Sequence, residues 1–229
     1  MATPAPPPEA IINYLKQFVT ANRWQKMQAV LHQRTRQVTV VLEDIYQPHN
    51  ASAVLRSCDA FGVQDVHLIQ NKNRFELAKG VALGTEQWLT LYHYRDTTLD
   101  NTTACLTQLR RQGYTLVATT PHFQGISITD VPITAKIALL FGTELSGLSE
   151  GALAQADLFA TIPMLGFCES LNISVSVAVC LYEITTRLRR SAHPWQLSEA
   201  EKADLQLTWL RRSVKGADHL EKQFRANYK

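Results

Sequence analysis

The first strong feature of the chain is the β-branched run at residues 38–42, Val-Thr-Val-Val-Leu, in which apolar residues are not confined to alternate positions. Such a run suits a strand buried on both faces, as in a parallel sheet. Shorter runs predict further strands at 66–69, 88–92, 115–118, 137–141 and 160–162. Between them the spacing becomes helical: residues 51–61 place Val54, Leu55 and Cys58 on one side, and 77–83 and 102–111 also read as helices. After residue 172, Ile173, Val177, Leu181, Ile184 and Leu188 recur at helical intervals and predict a long helix. Residues 172–177 also alternate polar and apolar, so strand periodicity competes over that window. Strands alternating with helices predict an α/β domain with a mostly parallel sheet flanked by helices.

The two ends follow a different rhythm. Residues 10–36 carry Ile11, Ile12, Leu15, Phe18 and Val19, then Trp24, Met27, Val30 and Leu31. That pattern fits either two amphipathic helices or one helix broken near Asn22. A break at 191–194 precedes a second helical stretch, 197–228, which opens on the capping-box pair Ser198 and Glu201. Trp209, Leu210 and Val214 are its expected apolar side. The start, MATPAPPPEA, has the composition of a disordered or polyproline lead-in. The expected division is therefore a lead-in at 1–9, a helical extension at 10–37, the α/β domain at 38–190 and a basic helical extension at 191–229.

Composition narrows the class. With 45% hydrophobic and 19% charged residues, the chain suits one medium domain with appendages. No apolar run approaches the ~20 residues that span a bilayer, and the start lacks the basic and apolar parts of a signal peptide. Cys58, Cys105, Cys168 and Cys180 show no metal-ligand spacing. The expectation is a cytoplasmic protein with reduced thiols, no membrane segment and no metal. The net charge of +3 conceals an asymmetry: residues 1–40 and 187–229 together carry +9, and the middle carries −6. Positive flanks suit a polyphosphate partner, although basic helices are also common as solvated surfaces.

Residues 161–178, TIPMLGFCESLNISVSVA, are the first candidate for chemistry. An apolar run is closed by Pro163, and small polar residues then stand at the mouth of the long helix, where free backbone N–H groups can face a ligand. A capped core helix explains the same pattern. No G-x-G-x-x-G follows the first strand, so the ordinary dinucleotide fingerprint is missing.

Two further stretches complete a set: QPHNASAVLRSCDAFGV at 47–63 and LLFGTELSGLS at 139–149. With 161–178 they resemble, in order, the three signature motifs of the SPOUT-class RNA 2′-O-methyltransferases, SpoU/TrmH branch. The likeness runs over roughly residues 38–190. It implies a deep trefoil knot in the C-terminal part of the domain and an obligate homodimer with its active site at or near the subunit junction. It also implies methyl transfer from S-adenosylmethionine to the ribose 2′-OH of a guanosine in the D-loop of tRNA. Alternatives within the resemblance are a ribosomal RNA ribose methyltransferase and a non-catalytic RNA-binding relative.

The resemblance assigns residues as well. Asn50 and Arg56 match the first motif, with Arg56 tied to catalysis. Ser170 and Asn172 match the polar pair of the third. Thr119, Phe141, Gly142, Thr143, Glu144, Ile162 and Leu171 match donor-binding positions, with Gly142 letting backbone approach the adenosyl group and Glu144 orienting its loop or a neighbouring subunit. A guanidinium with a pKa above ~12 is an unusual base, which favours a phosphate grip and stabilisation of the developing alkoxide; transient proton acceptance is the alternative. His49 beside Asn50 invites a general-base reading, but a histidine in a turn after proline is more often structural. The chain departs from the family at Phe167-Cys168-Glu169, where an acid stands near the expected RNA path.

Overall fold

The computed structural model describes residues 6–78, 84–121 and 125–228. Residues 35–195 form one compact unit, and residues up to 34 together with those from 196 onward form another. The expected helix over 77–83 falls mostly on residues outside the described set, and Leu77 and Ala78 are not helical.

The larger unit is built on a seven-stranded sheet of β1 (Val38–Glu43), β2 (Asp65–Ile69), β3 (Thr90–Tyr94), β4 (Tyr114–Thr119), β5 (Ile126–Ser127), β6 (Lys136–Phe141) and β7 (Leu158–Thr161). The spatial order is β3-β2-β1-β6-β4-β7-β5 and every pairing is parallel. β1 lies at the heart of the sheet, between β2 and β6, and all six of its residues are buried. The two-residue period of the strand divides the core. Val38, Val40 and Leu42 pack with residues of α3 (Pro48–Ala60) and α6 (Ile173–Arg190), while Val41 packs with residues of α4 (Asn101–Arg111) and with Ala152 of α5 (Glu150–Gln155). A run that is apolar at successive positions is thus what a strand between two helical layers requires.

The prediction of a mostly parallel sheet flanked by helices holds for the described residues, with differences at element edges. Residues 85–88 form a 3-10 turn and the strand runs 90–94, two residues later than the pattern suggested. The helix in motif one begins at Pro48, whose missing N–H costs nothing in a first turn. Residues 172–177 are the start of a helix and not a strand, because the Asn172 side chain caps it by accepting from the Ser174 N–H at 2.9 Å. Neither α5 nor the short β5 was anticipated, both being too short to show a period. His67 on β2 is buried between the rings of Tyr92 and Tyr94, and desolvation lowers its pKa to about 4.

The smaller unit comprises α1 (Pro8–Leu15), α2 (Ala21–Leu31), α7 (Glu199–Ser213) and α8 (Ala217–Asn227). The lead-in expected at 1–9 must be corrected at its end: Pro8 and Glu9 already belong to α1, again with proline in the first turn. The single C-terminal helix is two, separated at Gly216, whose φ of +73° favours glycine. Ser198 and Glu201 form the capping box. Ile11, Leu15, Leu31, Trp209 and Leu210 are buried, and Tyr14 stacks on Phe224 at 4.5 Å. Glu221 receives both Arg211 and Arg225, and these hydrogen-bonded guanidiniums lower its pKa to about 2.

Candidate functional site

Parallel strands end on one edge, and ligands of open α/β sheets gather outside their carboxyl ends. All three motif segments leave the sheet at that edge. Residues 44–50 follow β1, 142–149 follow β6, and 162–172 follow β7. Asn50, buried in the first turn of α3, joins them. Its Nδ2 donates to Gln47 Oε1 at 3.1 Å and to Glu144 Oε1, and its Oδ1 accepts from Asn172 Nδ2 at 3.2 Å. Residues separated by 94 and 122 positions in sequence therefore share one carboxamide.

The loop of motif two is held from several sides. Thr143 and Gly147 exchange both backbone hydrogen bonds at 3.0 Å, and Thr143 Oγ1 accepts from the Ser146 N–H at 3.1 Å. Gly147 takes φ +66°, and a Cβ on Gly142 would overlap the main chain of Gly147 and Leu148. The absent side chain at Gly142 is therefore used by the loop itself. That is a different reason from the expected close approach of backbone to an adenosyl group. Below the loop, the buried Glu43 accepts from Thr102 Oγ1 at 2.6 Å, Ser149 Oγ at 2.7 Å and the Ser149 N–H at 2.8 Å. Ser149 is the N-cap of α5, so the carboxylate also sits at the positive end of a helix.

Thr119, Ile162, Ser170 and Leu171 come together at a crevice of about 70 Å³, with Thr120, Met164, Glu169 and Cys180 among its other walls. Phe141 ends the strand next to Thr119: β4 and β6 pair in register up to Ala118 and Leu140, and Thr119 Oγ1 donates to Leu140 O at 2.7 Å. Phe141 itself is buried. Apolar walls at Ile162, Leu171 and Met164 with a polar rim at Thr119, Thr120, Glu169 and Ser170 suit a flat base with polar substituents. In donor chemistry the residues fit S-adenosylmethionine. The described walls enclose about 70 Å³, less than the ~300 Å³ of an ordinary small-molecule site.

Thr143 and Glu144 do not line that crevice. They belong to a second, larger cleft of about 960 Å³, shared with Glu43, Asp44, Tyr46, Gln47, Lys72, Asn73 and residues 145–151. Arg56 and His49 are exposed and line neither space. On an ideal helix, six positions carry Arg56 about 9 Å along and about 120° around from Asn50. Among the described residues no group of His, Cys, Asp and Glu could hold a metal, and no helix is long and apolar enough to cross a membrane.

The sequence reading missed Glu43, Asp44, Tyr46 and Lys72. An acid closing an otherwise apolar strand was the available signal for Glu43. Asp44 has φ +54°, the only non-glycine with positive φ among the described residues, at a cost of about 1 kcal/mol. That strain leaves no mark in the sequence.

Comparison with known proteins agrees with this geometry. The model of the SpoU rRNA Methylase family matches residues 37–182. A relative from Borreliella burgdorferi, named tRNA (guanosine(18)-2'-O)-methyltransferase, is 41% identical over 210 residues, 92% of this chain and 94% of the relative. One of the same name from Escherichia coli K12 is 32% identical over 188 residues, 80% of each chain. The crystal structure of the A. aeolicus TrmH/SpoU tRNA modifying enzyme superposes with a TM-score of 0.74 at 28% identity, covering 85% of this chain and 98% of that one. With three signature segments meeting at one carboxamide and a family match over most of its length, the chain belongs to the SpoU methylase family.

Proposed function

We propose that the protein is a cytoplasmic tRNA methyltransferase that transfers a methyl group from S-adenosylmethionine to the ribose 2′-OH of guanosine 18 in the D-loop. The observation that carries this reading is the meeting of Asn50, Glu144 and Asn172, in a chain 41% identical to a relative named for that reaction. S-adenosylmethionine supplies a methyl group already activated for transfer, which leaves binding, orientation and proton removal to the protein. Thr119, Phe141, Gly142, Ile162 and Leu171 would hold the donor largely through backbone groups and apolar walls. Ser170 would stand between donor and ribose.

Asn50 and Asn172 would orient the RNA, with Glu144 fixing the amide of Asn50 so that its oxygen faces Asn172. Arg56 would grip the phosphate beside the target ribose and stabilise the alkoxide as the proton leaves. Its place on the exposed side of α3 suits a site completed at a subunit junction. A homodimer is supported by the apolar stripe Val175, Val179 and Tyr182 on α6 and by Leu165 and Phe167, all exposed. The positive flanks of the chain favour a tRNA partner. A deep trefoil knot is part of the same proposal, with 142–149 and 162–172 as its loops. In its support, β7 lies across β4 from β6, and α6 returns to pack on α3.

The test is methyl transfer from labelled S-adenosylmethionine to unmodified tRNA and ribosomal RNA, with the modified nucleotide mapped. A 2′-O-methylguanosine in the D-loop is expected. Product on ribosomal RNA alone overturns the substrate, and no product on either overturns the reaction.

A further inference from the structure

The larger cleft has a built wall whose purpose the donor crevice does not explain. Asp44 Oδ1 accepts from the backbone N–H groups of Asn71, Lys72 and Asn73 at 2.7, 2.8 and 3.3 Å. Its carbonyl accepts from Asn73 Nδ2 at 2.8 Å. A residue strained into the left-handed region thus fixes three successive positions of the loop after β2, and strain of that kind gathers at functional sites. The loop it fixes presents the exposed Lys72 at the cleft, and two residues beyond Asp44 the ring of Tyr46 is 70% exposed there.

The acids of the cleft are largely engaged. Glu43 is bonded to Thr102 and Ser149, Asp44 to the loop, and Glu144 to Asn50. An aromatic face and an ammonium remain for a ligand, with the exposed Glu150 also on the wall; the Ser146 hydroxyl is already shared with Thr143 Oγ1 at 2.7 Å. Gln47 and Glu144 line the cleft and also bond Asn50, so the cleft adjoins the point where the three motif segments meet. An aromatic ring beside a cation is how unstacked RNA is held, the base on the ring and the phosphate on the charge.

We infer that this cleft receives the unpaired nucleotide adjoining the methylated ribose, its base stacked on Tyr46 and its phosphate paired with Lys72. The identity of the ribose rests on the function proposed above; the cleft as an RNA subsite is tested separately. The probe is unmodified tRNA transcript, its affinity measured over a range of salt concentrations for the full chain and for Tyr46→Ala, Tyr46→Phe and Lys72→Ala. S-adenosylmethionine binding is measured in parallel. Both side chains are exposed, and thermal unfolding of each variant checks that the fold persists.

Tyr46→Ala is expected to weaken tRNA binding about tenfold, and Tyr46→Phe to keep it within about twofold, since stacking needs the ring and not the hydroxyl. Lys72→Ala should reduce the slope of log affinity against log salt by about 1. Donor affinity should be unchanged in all three. Folded Tyr46→Ala and Lys72→Ala variants that bind tRNA as the unaltered chain does, at every salt concentration, overturn the cleft and leave the activity standing. An unaltered chain that binds tRNA but methylates no ribose overturns the activity. Losses in the variants would then still support the subsite.

Discussion

The two loops that flank the site are opposites in construction. Residues 142–149 form a small hairpin closed on itself, fixed below by Glu43 and at its side by Asn50. Residues 162–171 make no hydrogen bond, from backbone or side chain, to any described residue, and Leu165 and Phe167 stand fully in solvent. The first loop is preorganised by its own hydrogen bonds, so a partner that binds it meets little ordering cost. The second presents solvent-facing backbone and exposed apolar area that a ligand or a second subunit could cover. The first loop is held by the chain's own contacts, and the second is left open to contacts from outside it.

The largest effect that bears on this contrast belongs to neither loop. Arg56→Lys is expected to lower kcat by about a hundredfold or more, roughly 3 kcal/mol, because an ammonium cannot replace a bidentate guanidinium. Donor binding should persist when measured by dialysis. Normal turnover by Arg56→Lys would remove Arg56 from the chemistry and leave the catalytic burden on the loops.

Stability separates the loops next. Gly142→Ala forces a methyl group into the main chain of Gly147 and Leu148, and should cost about 1–3 kcal/mol in urea unfolding. Gly166→Ala meets nothing within 4 Å and should cost less than about 1 kcal/mol. Equal losses at the two glycines would show that the loops are equally constrained.

A double-mutant cycle between Asn50→Ala and Glu144→Ala measures the side anchor. A coupling of about 1 kcal/mol in kcat/KM is expected, and additive effects would mean that the contact does not tie the motifs together. The smallest effect on the fold concerns the exposed loop. Phe167→Ser should change unfolding at low protein concentration by less than about 0.5 kcal/mol, as its ring is fully exposed. Sedimentation should nevertheless show a weaker dimer. Unchanged sedimentation would take Phe167 out of the proposed interface.

Much of the fold was readable because its signals are local. The β-branched run 38–42, the helical recurrence from Ile173 to Leu188 and the Ser198–Glu201 pair each carry their own period or cap. Boundaries are less readable: Pro8 falls in the expected lead-in and Pro48 ahead of the helix expected from residue 51, yet each opens a helix in a turn that needs no N–H. Short elements such as α5 have no room to show periodicity, and Gly216 was hidden inside a strongly helical stretch.

The candidate site divides in the same way. Residue types and spacing by themselves determined the α/β class and the absence of a dinucleotide fingerprint, while the resemblance to the family's motifs put Asn50, Arg56, Ser170 and Asn172 forward together. Only the folded chain decided which of these residues touch, that Gly142 makes room for Gly147, and that Asp44 in a left-handed turn holds the loop bearing Lys72. The physical reason is range. Periodicity and capping act over a few residues and leave a trace in the order of amino acids. A carboxylate shared between β1, α4 and the loop after β6 depends on sheet order, which no local stretch of sequence encodes.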